Sequence, residues 1–504
     1  MTTTTVRSQL NDSSRARALA VLFAGGALAL GALASLGPEQ WSPSLAILLV
    51  TAIAAFTFPL AWVAFLLTAL VPFQVYFNLP NSPLALRVAV VLVALAAVRI
   101  ILGRLTGDRR DLAGHREHAI TSYIRQFGWI VPAGLFLLAA LIAALGAQDR
   151  YLAFKGIYDW GIVFATAFVA GEIASVSRVR DRVISLIASI GVIEAVIGLL
   201  EYVAGLDRIL RVLRMPFSAL FIQPSLLNDR LADMSFNWVL DGRAVPFGTF
   251  INAIDYAIFL AATLSLMLAL LTNRRGRSGN LLLALGALVT ATALLLTLKG
   301  SGLVALGGGA AAIAILMWLK GRRAAGMHSR LVPLILVAGA ALIIALPFSD
   351  LVIQRLGYLI QREAGTTGDI GRVEIWASLV QYVAQRPFFG YGLNNSIYIT
   401  EPARTLRGGA IAYNLTSPES AYVAALVETG IAGFVTLLGL FATILWRAWH
   451  NILNSLDATK EIGLFAACAA LLLGNLTVVG FTGEQNGMLL GVLIGLVFAA
   501  WKHP

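Results

Sequence analysis

Charge is scarce in this 504-residue chain: Asp, Glu, Lys and Arg make up 12% of it, against 59% hydrophobic residues. A polypeptide so poor in charge lacks the polar surface of a soluble globule, which excludes the water-soluble enzyme classes. Cysteine is almost missing. The single thiol, Cys468, lies in an apolar run, where neither an intramolecular disulfide nor a multi-cysteine metal site can form and packing is its expected role. Histidine is nearly as rare. His115, His118, His328, His450 and His503 all fall in loops assigned to the cytoplasm, so no histidine-type metal centre and no histidine base is expected at the opposite face. No cofactor is called for. Nor does the sequence show an internal repeat of the kind that builds many secondary transporters.

What it does have is a series of long apolar runs. Candidate spans are read at about 17–36, 44–57, 59–77, 84–103, 127–147, 157–176, 182–204, 247–272, 281–298, 301–319, 331–348, 420–445, 463–480 and 486–501, judged against the ~20 residues that a helix needs to cross hydrocarbon. The expected fold is therefore an all-α polytopic membrane protein of 12–14 transmembrane helices. The excess of positive charge, +11 in all, gathers in short clusters: Arg7, Arg15 and Arg17; Arg104, Arg109, Arg110, Arg116 and Arg125; Arg274, Arg275 and Arg277; Lys320, Arg322, Arg323 and Arg330. With each cluster on the cytoplasmic side, even numbers of spans separate them, and both termini are expected in the cytoplasm. The polar stretch from Met1 to Ser14 leads into an apolar run without a small-residue cleavage pattern, read as an uncleaved first span. Nucleic acid is not an expected partner, because no domain outside the membrane presents a basic face with interleaved aromatics.

Two segments outside the membrane are long, and the topology puts both on the extracytoplasmic side. They divide the chain into N-terminal helices (1–246, with a first loop at 206–246), a core (247–445, with a large loop at 349–417) and C-terminal helices (446–504). The large loop is expected to contain amphipathic helices, the second from Val373 to Gln385. Loops of this length in a compact protein usually carry function.

The ionisable residues in or beside the spans concentrate at that same face: Arg87, Asp149, Arg150, Lys155, Asp159, Arg243, Asp255, Lys299, Arg372, Glu419, Glu428 and Glu484. Each has a plain structural explanation when taken alone. Arg87 and Lys155 can snorkel to headgroups, Asp255 can pair with a neighbouring helix, and Glu374 beside Arg372 suits the polar side of an amphipathic helix. Several cations at one face together suit a lipid-linked phosphate, which arginine grips in bidentate fashion.

Four blocks give this pattern a family likeness. The stretch GRVEIWASLVQYVAQRPFFGYGLNNS contains an Arg, a Trp four residues on and a Pro-x-x-Gly-x-Gly turn, in Arg372, Trp376, Pro387, Gly390 and Gly392. Downstream, SPESAYVAALVETGIAGF contains a Tyr and a Glu-x-Gly-x-x-Gly helix, in Tyr422, Glu428, Gly430 and Gly433; upstream lie TLKGSGLVAL, with Lys299, and GRAVPFGTFINAIDYAIFL, with Arg243 and Gly248. In order and spacing these blocks, over about residues 240 to 440, resemble the O-antigen ligase and polymerase family; the first 240 residues match it only in hydropathy.

The resemblance implies a GT-C-like, metal-independent glycosyltransferase of the bacterial inner membrane, acting at the extracytoplasmic face on a glycan carried by undecaprenyl diphosphate. Arg243, Lys299 and Arg372, with Arg87 added from its position, would hold the diphosphate. Arg372 and Glu419 would be catalytic, the latter as general base; Trp376, Pro387, Gly390, Gly392, Tyr422 and Glu428 would shape and position the loop. Two positions depart from the family pattern. Glu419 stands where ligases for lipid A-core have His, followed by Ser420 in place of Asn, and Lys299 replaces Arg. The missing His moves the expectation from a lipid A-core ligase to a polymerase, whose acceptor is a second lipid-linked glycan; a ligase for another glycolipid acceptor is the alternative. A chain-length regulator and other polysaccharide-assembly proteins are the candidate protein partners. A lipid-linked oligosaccharide transporter is the competing class. It would place charge along the whole membrane path and show pseudo-symmetry, whereas the charges here crowd one side.

Overall fold

The computed structural model describes residues 50–73, 76–78, 85–105, 128–205, 239–240, 243–250, 252–272, 277–321, 353, 357, 372–399, 418–455, 457–481 and 484–499. The expected spans at 17–36 and 331–348 lie outside these residues, as do most of the loop at 206–246 and, in the large loop, 349–371 apart from 353 and 357, and 400–417.

The described chain is helical, with two short antiparallel ribbons. A helical segment at 50–57 leads into α1 (Leu60–Leu70), followed by the ribbon β1 (Tyr76–Asn78) and β2 (Ala85–Arg87), then α2 (Val88–Leu105), α3 (Ile130–Leu145), α4 (Arg150–Ile173) and α5 (Ser177–Ala204). The second ribbon, β3 (Val239–Leu240) and β4 (Arg243–Ala244), precedes α6 (Ala253–Leu271), α7 (Arg277–Leu296), α8 (Gly300–Gly321), α9 (Arg372–Val383), α10 (Ala421–Asn454), α11 (Thr459–Gly474) and α12 (Glu484–Phe498). Six of these helices (α4, α5, α6, α7, α8 and α10) are long and apolar enough to cross a membrane, and four of the others are shorter apolar helices. This is an all-α, multi-pass membrane protein.

Helix α6 is its axis. All but three of its side chains are buried, and it packs on α5, α7, α8, α11 and α12. With lipid outside, burial of apolar area adds little to association between helices, so small residues that let backbones approach become the packing device. Gly491 and Gly495 of α12 meet the backbone of α4 at Val163 and Ala167, leaving no space for a methyl group.

Polar side chains mark the two ends of the bundle. At one end Arg180 of α5 forms a two-pronged ion pair with Glu461 of α11, at 2.8 and 2.7 Å, while its Nε donates to the carbonyl of Leu496. Lys320 caps the end of α10 there, donating to the carbonyls of Ile452 and Ser455. At the other end, three helices begin on polar caps: Asp149 accepts from Leu152 N, Asn252 from Asp255 N, and Ser420 from Val423 N. These caps hold the first-turn amides that a helix leaves unpaired. They also fix where the candidate residues sit.

Candidate functional site

The capped end is organised around a break in α10. Gly430 takes φ 66° and ψ −171°, so the helix is interrupted there, and its amide and carbonyl ladder opens toward the loop that follows α9. The Pro-x-x-Gly-x-Gly turn fills the opening. Tyr391 N donates to Val427 O (3.2 Å), Gly392 N to Glu428 O (2.7 Å), Ile431 N to Pro387 O (2.8 Å) and Ala432 N to Phe388 O (3.2 Å). Two motifs far apart in the chain are thus halves of one main-chain interlock. The glycines permit it: a Cβ on Gly390 would overlap the carbonyl of Val427, and one on Gly430 would overlap the backbone of Phe388.

The interlock places α9. Its apolar stripe, Ile375 and Leu379 with Trp376, Tyr382 and Val383 beside them, packs against Val423 and Val427 of α10. The spacing of these residues is that of one helical face. Trp376 Nε1 donates to the carbonyl of Pro418 (3.1 Å), tying the first turn of α9 to the entry of α10. Across that joint Arg372 Nε lies 3.0 Å from Glu419 Oε2, an ion pair that is partly open to solvent, with the two side chains 18% and 28% exposed. Glu419 itself has φ +48°, a left-handed backbone that a branched or bulky residue would resist. Its neighbours are pinned on both sides. Ala421 N donates to the carbonyls of Asn475 and Val478, and the Tyr422 hydroxyl to that of Leu472, while the Tyr422 ring packs on Phe441 and Phe481.

Lys299 approaches from α7 and α8. It follows Leu298, whose φ is +52°, and the second residue of α8, Ser301, accepts from Thr477 Oγ1 at 2.8 Å. Since Thr477 lies in the α11–α12 turn that also receives Ala421 N, the Lys299 turn and the Glu419 segment abut one shared element. Arg243 lies in the second ribbon, where β4 pairs with β3 (Arg243 opposite Leu240) ahead of α6. Arg87 belongs to a different group. It ends the first ribbon rather than opening the helix expected at 84–103, and with Lys155 it acts electrostatically on Asp159 of α4.

Several positioning residues carry no motif. Asn395 makes a reciprocal pair with the main chain of Asp149: Asp149 N donates to its Oδ1 (2.8 Å) and its Nδ2 donates to Asp149 O (3.0 Å). Tyr398 OH donates to the Asp149 carboxylate, Asn394 Nδ2 to Leu152 O and Arg386 Nη1 to Gly146 O, so the loop is fastened to the α3–α4 turn as well as to α10. Arg386 also sits 4.8 Å over the Tyr391 ring; burial pushes the Tyr391 phenol above its ordinary range, against the opposing pull of that guanidinium. Glu428, on the buried face of α10, accepts from Ser396 Oγ at 2.6 Å and so closes the loop against the interlock. Asn395→Ala is expected to lower stability by about 1 kcal/mol, since it removes the partner of two part-buried main-chain groups of Asp149; heat unfolding of the detergent-solubilised protein with an unchanged midpoint would contradict this. The sequence signal for these ties is the run Asn394, Asn395, Ser396, one residue after the glycine turn.

The arrangement presents a carboxylate and a guanidinium, partly open, at a joint reached by a lysine-bearing turn. Among the described residues no three carboxylates, imidazoles or thiols gather as metal ligands. No curated protein matches the chain. The segment from α7 into α10, carrying Lys299, Arg372, Trp376, the glycine turn, Glu419, Tyr422 and Glu428, is the part with a family match. Residues 285–438 fit the family model for O-antigen ligase, so over this segment the chain is similar to that family.

Proposed function

We propose that the protein is an inverting, metal-independent glycosyltransferase of cell-surface polysaccharide assembly that works as a polymerase at the extracytoplasmic face of the bacterial inner membrane. The donor is a glycan on undecaprenyl diphosphate; the acceptor is a sugar hydroxyl of a second lipid-linked glycan. The single observation that carries this reading is the Arg372–Glu419 pair, held across the α9–α10 joint within the family-matched segment.

In the resting protein the two charges answer each other. A diphosphate is a stronger partner for a guanidinium than one carboxylate, because it offers more anionic oxygens for bidentate contacts. Donor binding would draw Arg372 onto the diphosphate, joined there by Lys299 and Arg243, and turn Glu419 toward the acceptor hydroxyl. The acceptor oxygen then forms its bond to the anomeric carbon as the bond from that carbon to the diphosphate oxygen breaks. The hydroxyl proton passes to Glu419, and the cations balance the charge that grows on the departing undecaprenyl diphosphate. Attack opposite the leaving group inverts the anomeric centre. A chain-length regulator would act on the product of this step.

The test is transfer by purified protein in nanodiscs supplied with an undecaprenyl-diphosphate oligosaccharide from the host's pathway. A ladder of longer lipid-linked glycans is the expected result. Transfer only to an added host glycolipid would make the protein a ligase, and tight lipid binding with neither product would point to a transporter.

A further inference from the structure

Two carboxylates at the site end have no part in the chemistry above. Glu194 and Glu201 sit two turns apart on α5, and both reach the turn that joins the β3–β4 ribbon to α6. Glu201 Oε2 accepts from Phe247 N (3.1 Å) and Gly248 N (2.8 Å), while Glu194 accepts from Thr249 N (3.0 Å) and, through its other oxygen, from Thr249 Oγ1 (2.8 Å). Three consecutive main-chain amides therefore point at carboxylates of one helix. Gly248, with φ +58°, makes this possible, because a Cβ there would press on both the Glu194 carboxylate and the Tyr256 ring.

The two carboxylates differ in their surroundings. Glu194 is fully buried and tied into the bundle, its main-chain carbonyl accepting from Tyr256 OH, with Gln485 bridging the carbonyls of Pro72 and Thr249 nearby. Its loss would disturb the helix packing itself. Glu201 lies seven residues further along α5, half-buried near its end, and its carboxylate accepts from two amides of the turn. Arg243 is five positions before Gly248, with Pro246 between them limiting the freedom of the connection.

We propose that Glu201 is a positioning residue for the reaction: through the amides of Phe247 and Gly248 it fixes the turn that sets the Arg243 ribbon at the donor site. This rests on the reading of Arg243 as a diphosphate ligand. Hydrogen exchange reads the clamp without that assumption. In Glu201→Ala the segment 243–250 is expected to exchange faster than in wild type, with α6 unchanged; equal exchange in the two proteins overturns the clamp. Transfer kinetics read its purpose. Glu201→Ala is expected to raise the KM for the lipid-linked donor about tenfold with little change in kcat, and Glu201→Gln, which keeps an acceptor oxygen, to recover most of the loss. In an Arg243→Ala background Glu201→Ala is expected to cost nothing further. A full additional loss there, or a fall in kcat that Glu201→Gln does not recover, would make Glu201 a part of the general fold and overturn the proposal. Wild-type transfer by Arg243→Ala alone would instead remove the diphosphate reading of that residue, and the positioning role with it, while leaving the exchange result to stand for the clamp.

Discussion

Arg372→Ala is expected to lower the rate of glycan transfer by about two to three orders of magnitude, the scale of losing one preorganised charge-stabilising group. On the proposed mechanism the variant removes the cation assigned to the leaving diphosphate, and it also breaks the ion pair with Glu419. Arg372→Lys should recover little, because an ammonium cannot reproduce the planar fork by which a guanidinium engages a diphosphate or a carboxylate. Both side chains are partly exposed, so the ion pair itself contributes little to stability, and the variants are expected to purify and unfold like wild type. Initial rates of ladder formation with saturating acceptor decide the matter; a rate within a few-fold of wild type in Arg372→Ala would end its catalytic role. Glu419→Gln separates the two partners. It keeps the shape at a left-handed position while removing the base, so kcat should fall and the donor KM stay put.

The value of that pair depends on parts of the molecule that the family match does not include. Residues 285–438 contain both charges, yet the loop between them is fastened outside this segment, at Gly146, Asp149 and Leu152 on the α3–α4 turn. The N-terminal helices thus act as a seat for the loop.

Much of this architecture was legible in hydropathy, because lipid demands apolar side chains over a set length. The differences occur where polar residues continue a helix. The span expected at 157–176 starts at Arg150, since Asp149 caps it and its exposed first turns carry Arg150 and Lys155; the one expected from residue 182 starts at Ser177, and its Arg180 is paid for by Glu461. The amphipathic helix expected from Val373 to Gln385 runs from Arg372 to Val383. Residues 85–87, read as the start of a span, form a strand, as a ribbon edge of three residues leaves no periodic signal. Charge and motif spacing singled out Arg372 and Glu419, which the structure pairs. The Asn395–Asp149 pair was illegible, because it joins an amide side chain to main-chain atoms 246 positions away. So was the meeting of the two glycine motifs. A main-chain interlock has no side-chain signature beyond the glycines that make room for it, and Gly390 and Gly392 read equally well as ordinary turn residues.

That interlock is where a single methyl group should do most harm. Gly430→Ala is expected to destabilise the protein by about 3 to 5 kcal/mol, from a backbone conformation that is almost glycine-only together with a steric conflict in a packed interior. The φ and ψ of Gly430 exclude relief by rotation, and the atoms in the way are the Phe388 and Phe389 backbone rather than a side chain that could swing aside. Either the helix regains a regular turn, and the amides of Ile431 and Ala432 abandon Pro387 and Phe388, or the loop withdraws. In both cases α9 loses its seat and Arg372 separates from Glu419. Transfer should therefore vanish together with the drop in unfolding midpoint, measured on the detergent-solubilised protein. Gly439→Ala is the matched control: it lies on the same helix, in helical conformation, with open space around its Cβ, and substitution there should be neutral or slightly stabilising. Equal midpoints for Gly430→Ala and Gly439→Ala would mean that the break in α10 does not hold the loop, and the positioning of Arg372 would need another cause.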